Sequence, residues 1–210
     1  VVLVEAFLRR LVVVRRHGQD AVDPHALQLA NQRDHLAGVV AAGTRQHRDA
    51  AGHLLDRGPQ QLAYDAWWHL GYDTLVTSEW GTPKTFEDGL IPVMLLQSQY
   101  GRKLHFWDLH RRKHLQEIDF GEEYQLVFEL RPAHDPTKAY GFVNCVLSLE
   151  DLSSSIWVWH RDGAKWAVTK IIDIPAEPAE PDQLPPMLKG FKAVPPLVTD
   201  IDLSMDDKFL

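Results

Sequence analysis

The stretch "KLHFWDLHRRKHLQEIDF", Lys103–Phe120, fits two folds that exclude each other. On a helix, the four-residue spacing of His110 and His114 would place both imidazoles on one face, where they could bind a metal ion. On two strands, Trp107 and Asp108 would close the first strand, and the basic residues after them would form a hairpin turn. The choice decides whether this stretch is a metal site or part of a β-scaffold.

The alternation of apolar residues favours the two strands. In "KLHFWDL", Leu104 and Phe106 face one side while Trp107 and Leu109 face the other, so both faces of the strand are apolar. Such a strand is expected inside a fold that covers both of its faces. In "HLQEIDF", residues 114–120, one of the two faces can contact water, which predicts an outer strand.

With that hairpin, the spacing of the two histidines has no helical meaning. His110 then lies in the turn and His114 begins the outer strand. The three basic residues between them, Arg111–Lys113, would also repel a metal cation. We therefore expect a solvated turn and no metal site.

The chain from Gly58 onward repeats this pattern. Short runs rich in β-branched and aromatic residues are separated by Gly, Pro and Asp, which predicts an all-β fold. Two sets of four strands are predicted near residues 62–68, 74–80, 103–109 and 114–120, and near 125–131, 140–148, 155–160 and 166–174. A third set opens with "PLVTDIDLS" and "DKFL". Repeated four-stranded sets are typical of β-propeller blades, here about two blades and the start of a third.

The composition excludes several classes of protein. The chain of 210 residues is 45% hydrophobic and 24% charged, as in ordinary globular proteins. Its net charge of -7 argues against nucleic-acid binding, which needs clustered Lys and Arg. One cysteine, Cys145, excludes an internal disulfide and a cysteine-based zinc site. No apolar run approaches the roughly 20 residues that span a bilayer, and no signal peptide is evident, so a cytoplasmic location is expected.

Residues 1–56 differ in composition from the rest of the chain. They contain no Ser, Lys, Ile, Tyr, Trp, Met or Cys, and the seven tryptophans all follow them. Two explanations stay open. One is a helical or disordered extension that is unrelated to residues 57–210, and the other is translation of the gene start in a wrong frame. Either way the predicted domain boundary lies between residues 56 and 57.

Four other histidines are candidates for a site, and each has a simpler structural explanation. His69 lies beside a turn and is expected to be packed or exposed rather than a ligand. His105 alternates with apolar neighbours and is expected to be hydrogen-bonded between adjacent blades. His134 lies in the loop "PAHDPTK", where Asp135 could orient it. His160 ends a strand and is expected to be exposed.

The remaining candidates also favour structural roles. Cys145 alternates with Val143 and Leu147, as a buried small hydrophobic residue does, so we expect no reactive thiolate. Glu79 and Asp200 are expected to satisfy loop amides at strand ends. No nucleophile-elbow, zinc-protease, phosphate-loop or dinucleotide-binding motif occurs. From the residues alone, this segment is a scaffold without an assembled active site.

Several stretches together resemble the selenium-binding protein family, whose enzymatic members are methanethiol oxidases. They include "GPQQLAYDAWWHLGYDTLVTSEWGTP", "LHFWDLHRRKHLQEIDFG", "ELRPAHDPTKAYGFVNCVLSL", "WVWHRDGAKWAVTKIIDIPAEP" and "LPPMLKGFKAVPPLVTDIDLSMDDKFL". The resemblance runs from about Arg57 to Leu210 and does not include residues 1–56. It implies a partial seven-bladed propeller formed by the middle blades of a longer protein, so the chain is expected to be an internal fragment.

The resemblance also implies a function for the full-length protein. Methanethiol, O₂ and water would give formaldehyde, hydrogen sulfide and hydrogen peroxide, with copper in bacterial members. The histidines that hold the metal and the cysteine linked to selenium belong to family motifs that this sequence does not contain. We therefore assign no catalytic, cofactor-binding or metal-binding residue here, and expect no copper on this chain.

The partners follow from the same resemblance. A small thiol, selenium and the remaining blades are the expected partners of the full-length protein, and neither nucleic acid nor membrane is expected. The alternative function is a non-enzymatic propeller that carries selenium or binds proteins. A periplasmic location stays open for the full-length protein.

Overall fold

The structure is a computed structural model, and it describes residues 58–82, 85, 87 and 89–210. The boundary expected at residues 56 and 57, and the helical or disordered extension before it, lie outside the described residues. An antiparallel sheet comes first, with strand order β1-β2-β3-β4: β1 (Ala66–His69), β2 (Thr74–Ser78), β3 (Lys103–Asp108) and β4 (Lys113–Asp119). A 3-10 helix, Leu70–Tyr72, connects β1 to β2, and a five-residue helix, α1 (Pro92–Leu96), lies in the long connection to β3.

The second sheet repeats this topology. It has strand order β5-β6-β7-β8: β5 (Tyr124–Pro132), β6 (Tyr140–Ser148), β7 (Ser154–Asp162) and β8 (Lys165–Ile174). A small ribbon then pairs β9 (Glu177–Pro178) with β10 (Ala193–Val194). The all-β class and both predicted sets of four strands are confirmed. No helix in the described part of the chain is long and apolar enough to cross a membrane.

The hairpin between β3 and β4 follows from the opening stretch. Lys113 pairs with Asp108, and Leu104 pairs with Ile118. The turn contains Arg112 in the left-handed region, with φ of 55°. The strand interpretation of this stretch is therefore confirmed, and the helical one is wrong.

Aromatic and branched side chains fill the space between the two sheets. Val76, Leu104 and Phe106 from the first sheet meet Val127, Val143 and Trp159 from the second. The ring of Phe106 stacks on Trp166 with centroids 5.1 Å apart. At the outer strands, the side-chain amide of Gln116 donates to the carbonyl of Trp166 at 2.7 Å and accepts from its N–H at 2.9 Å. A large side chain buried in this way contributes about 1.5–3 kcal/mol, so the two sheets stabilise each other.

The other face of β3 is buried but polar. Trp107 is 2% exposed, and its indole N–H donates to the hydroxyl of Thr77 at 3.0 Å. His105 lies on the same face and is fully buried. Leu109, which was expected there, lies beyond the end of the strand and is half-buried. The prediction that both faces are covered is confirmed, but the second face contains a hydrogen-bonded network rather than an apolar layer.

The predicted third set has no assigned strand. Residues 197–202 contact the second sheet at Asn144, Ser154 and Arg131. Ile201 and Leu203 are buried. The N–H of Val198 donates to the hydroxyl of Ser154 at 3.1 Å. A strand is defined by its ladder to a neighbour, and the described residues place no further strand beside this segment.

Candidate functional site

The structure separates the two histidines of the opening stretch. His110 lies in the turn with an 85% exposed side chain, 3.5 Å from a carboxylate oxygen of Asp73. His114 lies near the start of β4 and turns toward β3. Their expected places, in a turn and on the outer strand, are confirmed.

His114 instead meets His105 across the hairpin. Nε2 of His114 lies 3.1 Å from Nδ1 of His105, and Nε2 of His105 lies 2.9 Å from Oε1 of Glu79. We call these three side chains the histidine relay. His105 is fully buried, Glu79 is 6% exposed and His114 is half-buried.

The relay has one consistent direction when both rings are neutral. A carboxylate accepts only, so Nε2 of His105 donates to Glu79 and its Nδ1 has a free lone pair. Nε2 of His114 must then donate to that lone pair. A chain of donors therefore runs from half-buried His114 to buried Glu79, and it can conduct a proton along the face of the sheet.

Two features of the backbone hold Glu79 in place. The N–H of Gly101 donates to the carbonyl of Trp80 at 2.6 Å. A Cβ on Gly101 would lie 2.2 Å from the Cβ of Glu79 and 2.7 Å from its carbonyl carbon, so this contact requires glycine. The expectation that Glu79 binds loop amides is wrong, because its carboxylate accepts from His105. The two partners of His105 also belong to its own sheet rather than to the adjacent one.

The remaining histidines have structural contacts. Nε2 of His69 donates to the carbonyl of Lys138 at 2.6 Å, and the side chain is buried as packing predicted. His134 is oriented by Asp207 at 2.8 Å rather than by Asp135, which accepts from the hydroxyl of Thr137. His160 is half-buried, not exposed.

Cys145 is sealed inside the second sheet. Its thiol is fully buried and lies 3.4 Å from the carbonyl oxygen of Gln125. Burial raises the pKa of the Cys145 thiol to about 12, so the thiolate is not formed near neutral pH. The prediction of a buried, unreactive cysteine is confirmed.

A second polar cluster lies where the first strands of the two sheets meet. Nη1 of Arg131 donates to Oε2 of Glu129 at 2.8 Å, and Nη2 lies 3.2 Å from Oδ1 of Asp200. Nη1 also lies 3.9 Å from Oδ2 of Asp65, and Nε lies 3.5 Å from Oδ1 of Asp202. We call these five side chains the arginine cluster. Asp200 was expected to bind loop amides, and that is wrong because it pairs with Arg131.

Three of the five side chains in the cluster are mostly enclosed, and this shifts the pKa of Glu129. The side chains of Arg131, Glu129 and Asp65 are 19%, 18% and 17% exposed. Burial and the nearby charge of Asp65 raise the pKa of Glu129, although hydrogen bonds from Arg131 and Tyr64 oppose the shift. The Tyr64 hydroxyl donates to Oε1 of Glu129 at 2.9 Å. Loss of hydration and the charge of Glu129 raise the pKa of Tyr64, so it stays a donor.

An internal repeat explains why these carboxylates meet, and sequence reasoning missed it. The segments "LAYDAW" (62–67), "LVFELR" (126–131) and "LVTDID" (197–202) each have an acid at the fourth position. Those acids are Asp65, Glu129 and Asp200, and all three lie around Arg131. Aligning the first strand of each predicted set would have found them.

Backbone conformation and hydrogen bonds support the likeness of these segments. Leu126 and Leu197 open the second and third segments with φ of 64° and 49°, which is uncommon for leucine. The hydroxyl of Ser78 accepts from the N–H of Asp65 at 3.2 Å and donates to the carbonyl of Phe128 at 2.6 Å.

Asn144 bridges the second and third segments as Ser78 bridges the first and second, although the carbonyl that accepts from it lies one position earlier in the segment. Its side-chain oxygen accepts from the N–H of Glu129 at 2.7 Å, and its NH₂ group donates to the carbonyl of Val198 at 2.6 Å. Residues 197–202 therefore contact β6 much as residues 126–131 contact β2.

Neither cluster is arranged as a metal centre. No group of three or more His, Cys, Asp or Glu side chains is placed to hold a metal ion in the part of the chain that the structure describes. Both ring nitrogens of His105 have hydrogen-bonding partners, and the guanidinium of Arg131 occupies the centre of the acids. Proton transfer and charge pairing are what these groups can do.

Comparison with known proteins identifies several similar chains. A sequence profile of the family described as 56kDa selenium binding protein (SBP56) matches residues 29–210. The chain is 36% identical over 149 residues to a methanethiol oxidase of Danio rerio, covering 71% of this chain and 30% of that relative. It is 32% identical over 153 residues to selenium-binding protein 2 of Mus musculus, covering 73% of this chain and 30% of that relative.

A solved structure is similar as well. The X-ray structure of a hypothetical selenium-binding protein from Sulfolobus tokodaii is 56% identical, with a TM-score of 0.69, over 73% of this chain and 33% of that chain. The chain thus spans about three tenths of the length of the curated relatives it matches. The profile match begins at residue 29, so it includes residues 29–56, which the sequence analysis left outside the resemblance.

Proposed function

The chain belongs to the 56kDa selenium binding protein family, and we propose that the full-length protein is a methanethiol oxidase. The reaction converts methanethiol, O₂ and water to formaldehyde, hydrogen sulfide and hydrogen peroxide. The observation that carries this proposal is the similarity to relatives named methanethiol oxidase, at 36% identity over 149 residues for that of Danio rerio.

Within that protein, this chain serves as scaffold. Its two sheets are successive blades of a seven-bladed propeller, and residues 197–203 begin the next blade. The support is the repeated topology of the two sheets and the three equivalent segments that meet at Arg131. The remainder of the propeller is then the principal partner of this chain, because the outer face of the second sheet needs a neighbour to cover it.

Copper, which the family resemblance implies, does not fit the described residues. A redox metal that binds a thiol favours imidazole and thiolate ligands. The only cysteine, Cys145, is buried with a pKa raised to about 12. The imidazole of His105 is occupied on both sides by Glu79 and His114. We place the copper site in other parts of the full-length protein, and expect this chain to be inactive by itself.

A second function is favoured by the name of one relative. Selenium-binding protein 2 of Mus musculus is 32% identical to this chain and is not named as an oxidase. On this alternative, the propeller carries selenium or binds proteins without turning over a thiol. The residues of this chain serve equally well as the scaffold of either protein.

An assay of the complete gene product separates the two functions. The copper-loaded protein is incubated with methanethiol and O₂, and formaldehyde, hydrogen sulfide and hydrogen peroxide are measured. The proposal expects the three products in equal amounts. Binding of selenite without any of the three products would overturn the oxidase and support the carrier.

A further inference from the structure

The arginine cluster joins three parts of the chain that are distant in sequence. Arg131 binds Glu129 of its own strand through Nη1, at 2.8 Å. On its other side it reaches Asp200 through Nη2, at 3.2 Å, and Asp202 through Nε, at 3.5 Å. Its charge is therefore divided between β5 and the segment that follows the second sheet.

Glu129 lies among several charged groups and the hydroxyl of Tyr64. Asp65, which precedes β1, accepts from the N–H of Leu130 at 3.1 Å and lies beside the same guanidinium. Tyr64 donates to Oε1 of Glu129, and Asp200 and Asp202 lie beyond Arg131. With Glu129 ionised, four carboxylates share one guanidinium. With Glu129 protonated, only Asp65, Asp200 and Asp202 share it.

The segment 197–203 has few other polar tethers to the second sheet. Val198 is held through its N–H by Ser154 and through its carbonyl by Asn144. Ile201 and Leu203 are buried. These contacts are uncharged, so within residues 197–203 the contacts of Arg131 are the ones whose strength depends on charge. A second charged contact, between His134 and Asp207, lies beyond the segment and is unchanged in every variant used below.

We propose that Glu129 and Arg131 form a proton-dependent switch, in which a proton on Glu129 frees the charge of Arg131 to hold residues 197–203 against the second sheet. When Glu129 loses the proton, its carboxylate competes for Arg131 and repels Asp200. The segment is then held less tightly. This inference goes beyond the proposed function and does not depend on it.

The titration of Glu129 has the direction that the switch needs. Burial and Asp65 raise the pKa of Glu129 above its usual value of 4.5. The stability that protonated Glu129 gives to the folded chain is therefore fully present below pH 4.5. It is lost as the pH rises through the raised pKa of Glu129. Residues 197–203 are therefore held most tightly at pH values below the raised pKa of Glu129.

Hydrogen exchange of the 210-residue chain tests the switch. The exchange rates of backbone amides in residues 197–203 are measured from pH 4.5 to pH 8, each divided by the rate of an unstructured amide at the same pH. Protection in the unmodified chain should fall by roughly two- to fivefold over this range, as expected for charge interactions with partly exposed partners. In Glu129→Gln, protection should not change with pH.

Two further variants serve as controls. Glu122→Gln removes an exposed acid before β5 and should keep the full pH dependence. Asp200→Asn combined with Asp202→Asn changes only residues that are 75% and 93% exposed, so it should fold even if Glu129→Gln does not. That double variant should lose most of the pH dependence. Equal pH dependence in the unmodified chain and the double variant, or none in the unmodified chain, would overturn the switch.

Discussion

The histidine relay and the arginine cluster are both buried polar networks, but they connect different parts of the molecule. The relay lies within the first sheet, and its three side chains come from β3, β4 and the residue that follows β2. The arginine cluster lies between units, with acids from all three repeated segments. The relay acts first on the first sheet, whereas the cluster adds charged contacts between successive units to the apolar packing that joins the two sheets.

Replacement of Arg131 should cause the largest loss in the free energy of unfolding. Arg131→Met leaves Glu129 and Asp65 enclosed without their cation, so we expect the free energy of unfolding to fall by about 2 to 3 kcal/mol. Urea denaturation measures this change. Arg102→Met is the matched control, because its ion pair with Asp119 is more exposed, at 26% and 39%, and should contribute under about 1 kcal/mol. Equal losses in the two variants would show that the cluster has no special role.

Replacement of His105 should have the next largest effect. His105→Leu leaves the buried carboxylate of Glu79 without its donor, which should cost about 2 kcal/mol. The double variant His105→Leu, Glu79→Leu should recover part of that loss, since neither polar group is then unsatisfied. Hydrogen exchange should show the loss in the first sheet while the amides of β6 and β7 keep their protection. Equal loosening of both sheets would contradict the separation of the two networks.

Removal of the Tyr64 hydroxyl tests a smaller contact in the arginine cluster. Tyr64→Phe keeps the ring that stacks on Phe128 at 4.2 Å but removes the hydrogen bond to Glu129. The expected loss is about 0.5 to 1 kcal/mol, discounted because the residue is 38% exposed. Tyr72→Phe is the control, since its hydroxyl lies 3.3 Å from a loop carbonyl at the surface. A larger loss from the control would indicate that the Tyr64 contact is not stabilising.

The smallest effect is expected at the exposed end of the cluster. Asp200 has a 75% exposed side chain, so Asp200→Asn should change the free energy of unfolding by at most about 0.5 kcal/mol. Thermal unfolding at low and high salt measures it. A loss above about 2 kcal/mol would contradict the small contribution expected from so exposed an ion pair.

Local sequence patterns predicted the strands well, because the alternation that marks a strand involves residues that are adjacent in the sequence. The alternation around Leu104 and Phe106 predicted β3. The predicted third set has no assigned strand, because its segment has no neighbour for a ladder in the described part of the chain. Burial of Cys145 followed from its alternation in the same way.

The two networks could not be predicted from such local patterns. His105 and His114 meet only because a register shift between Phe106 and Trp107 places them together, and no short motif indicates that shift. Asp65, Glu129 and Asp200 lie far apart in the sequence, with a whole sheet between the first two and most of a sheet between the last two. The repeated acid at the fourth position of each segment was visible in the sequence, but its meaning depends on the way the three segments converge.

The most direct test of the central claim is to compare the 210-residue chain with the complete gene product. Copper content and methanethiol turnover are measured on both after loading with copper. If this chain is scaffold, the complete protein binds copper and releases hydrogen sulfide, while the 210-residue chain does neither. Copper-dependent release of hydrogen sulfide by the 210-residue chain would contradict the account.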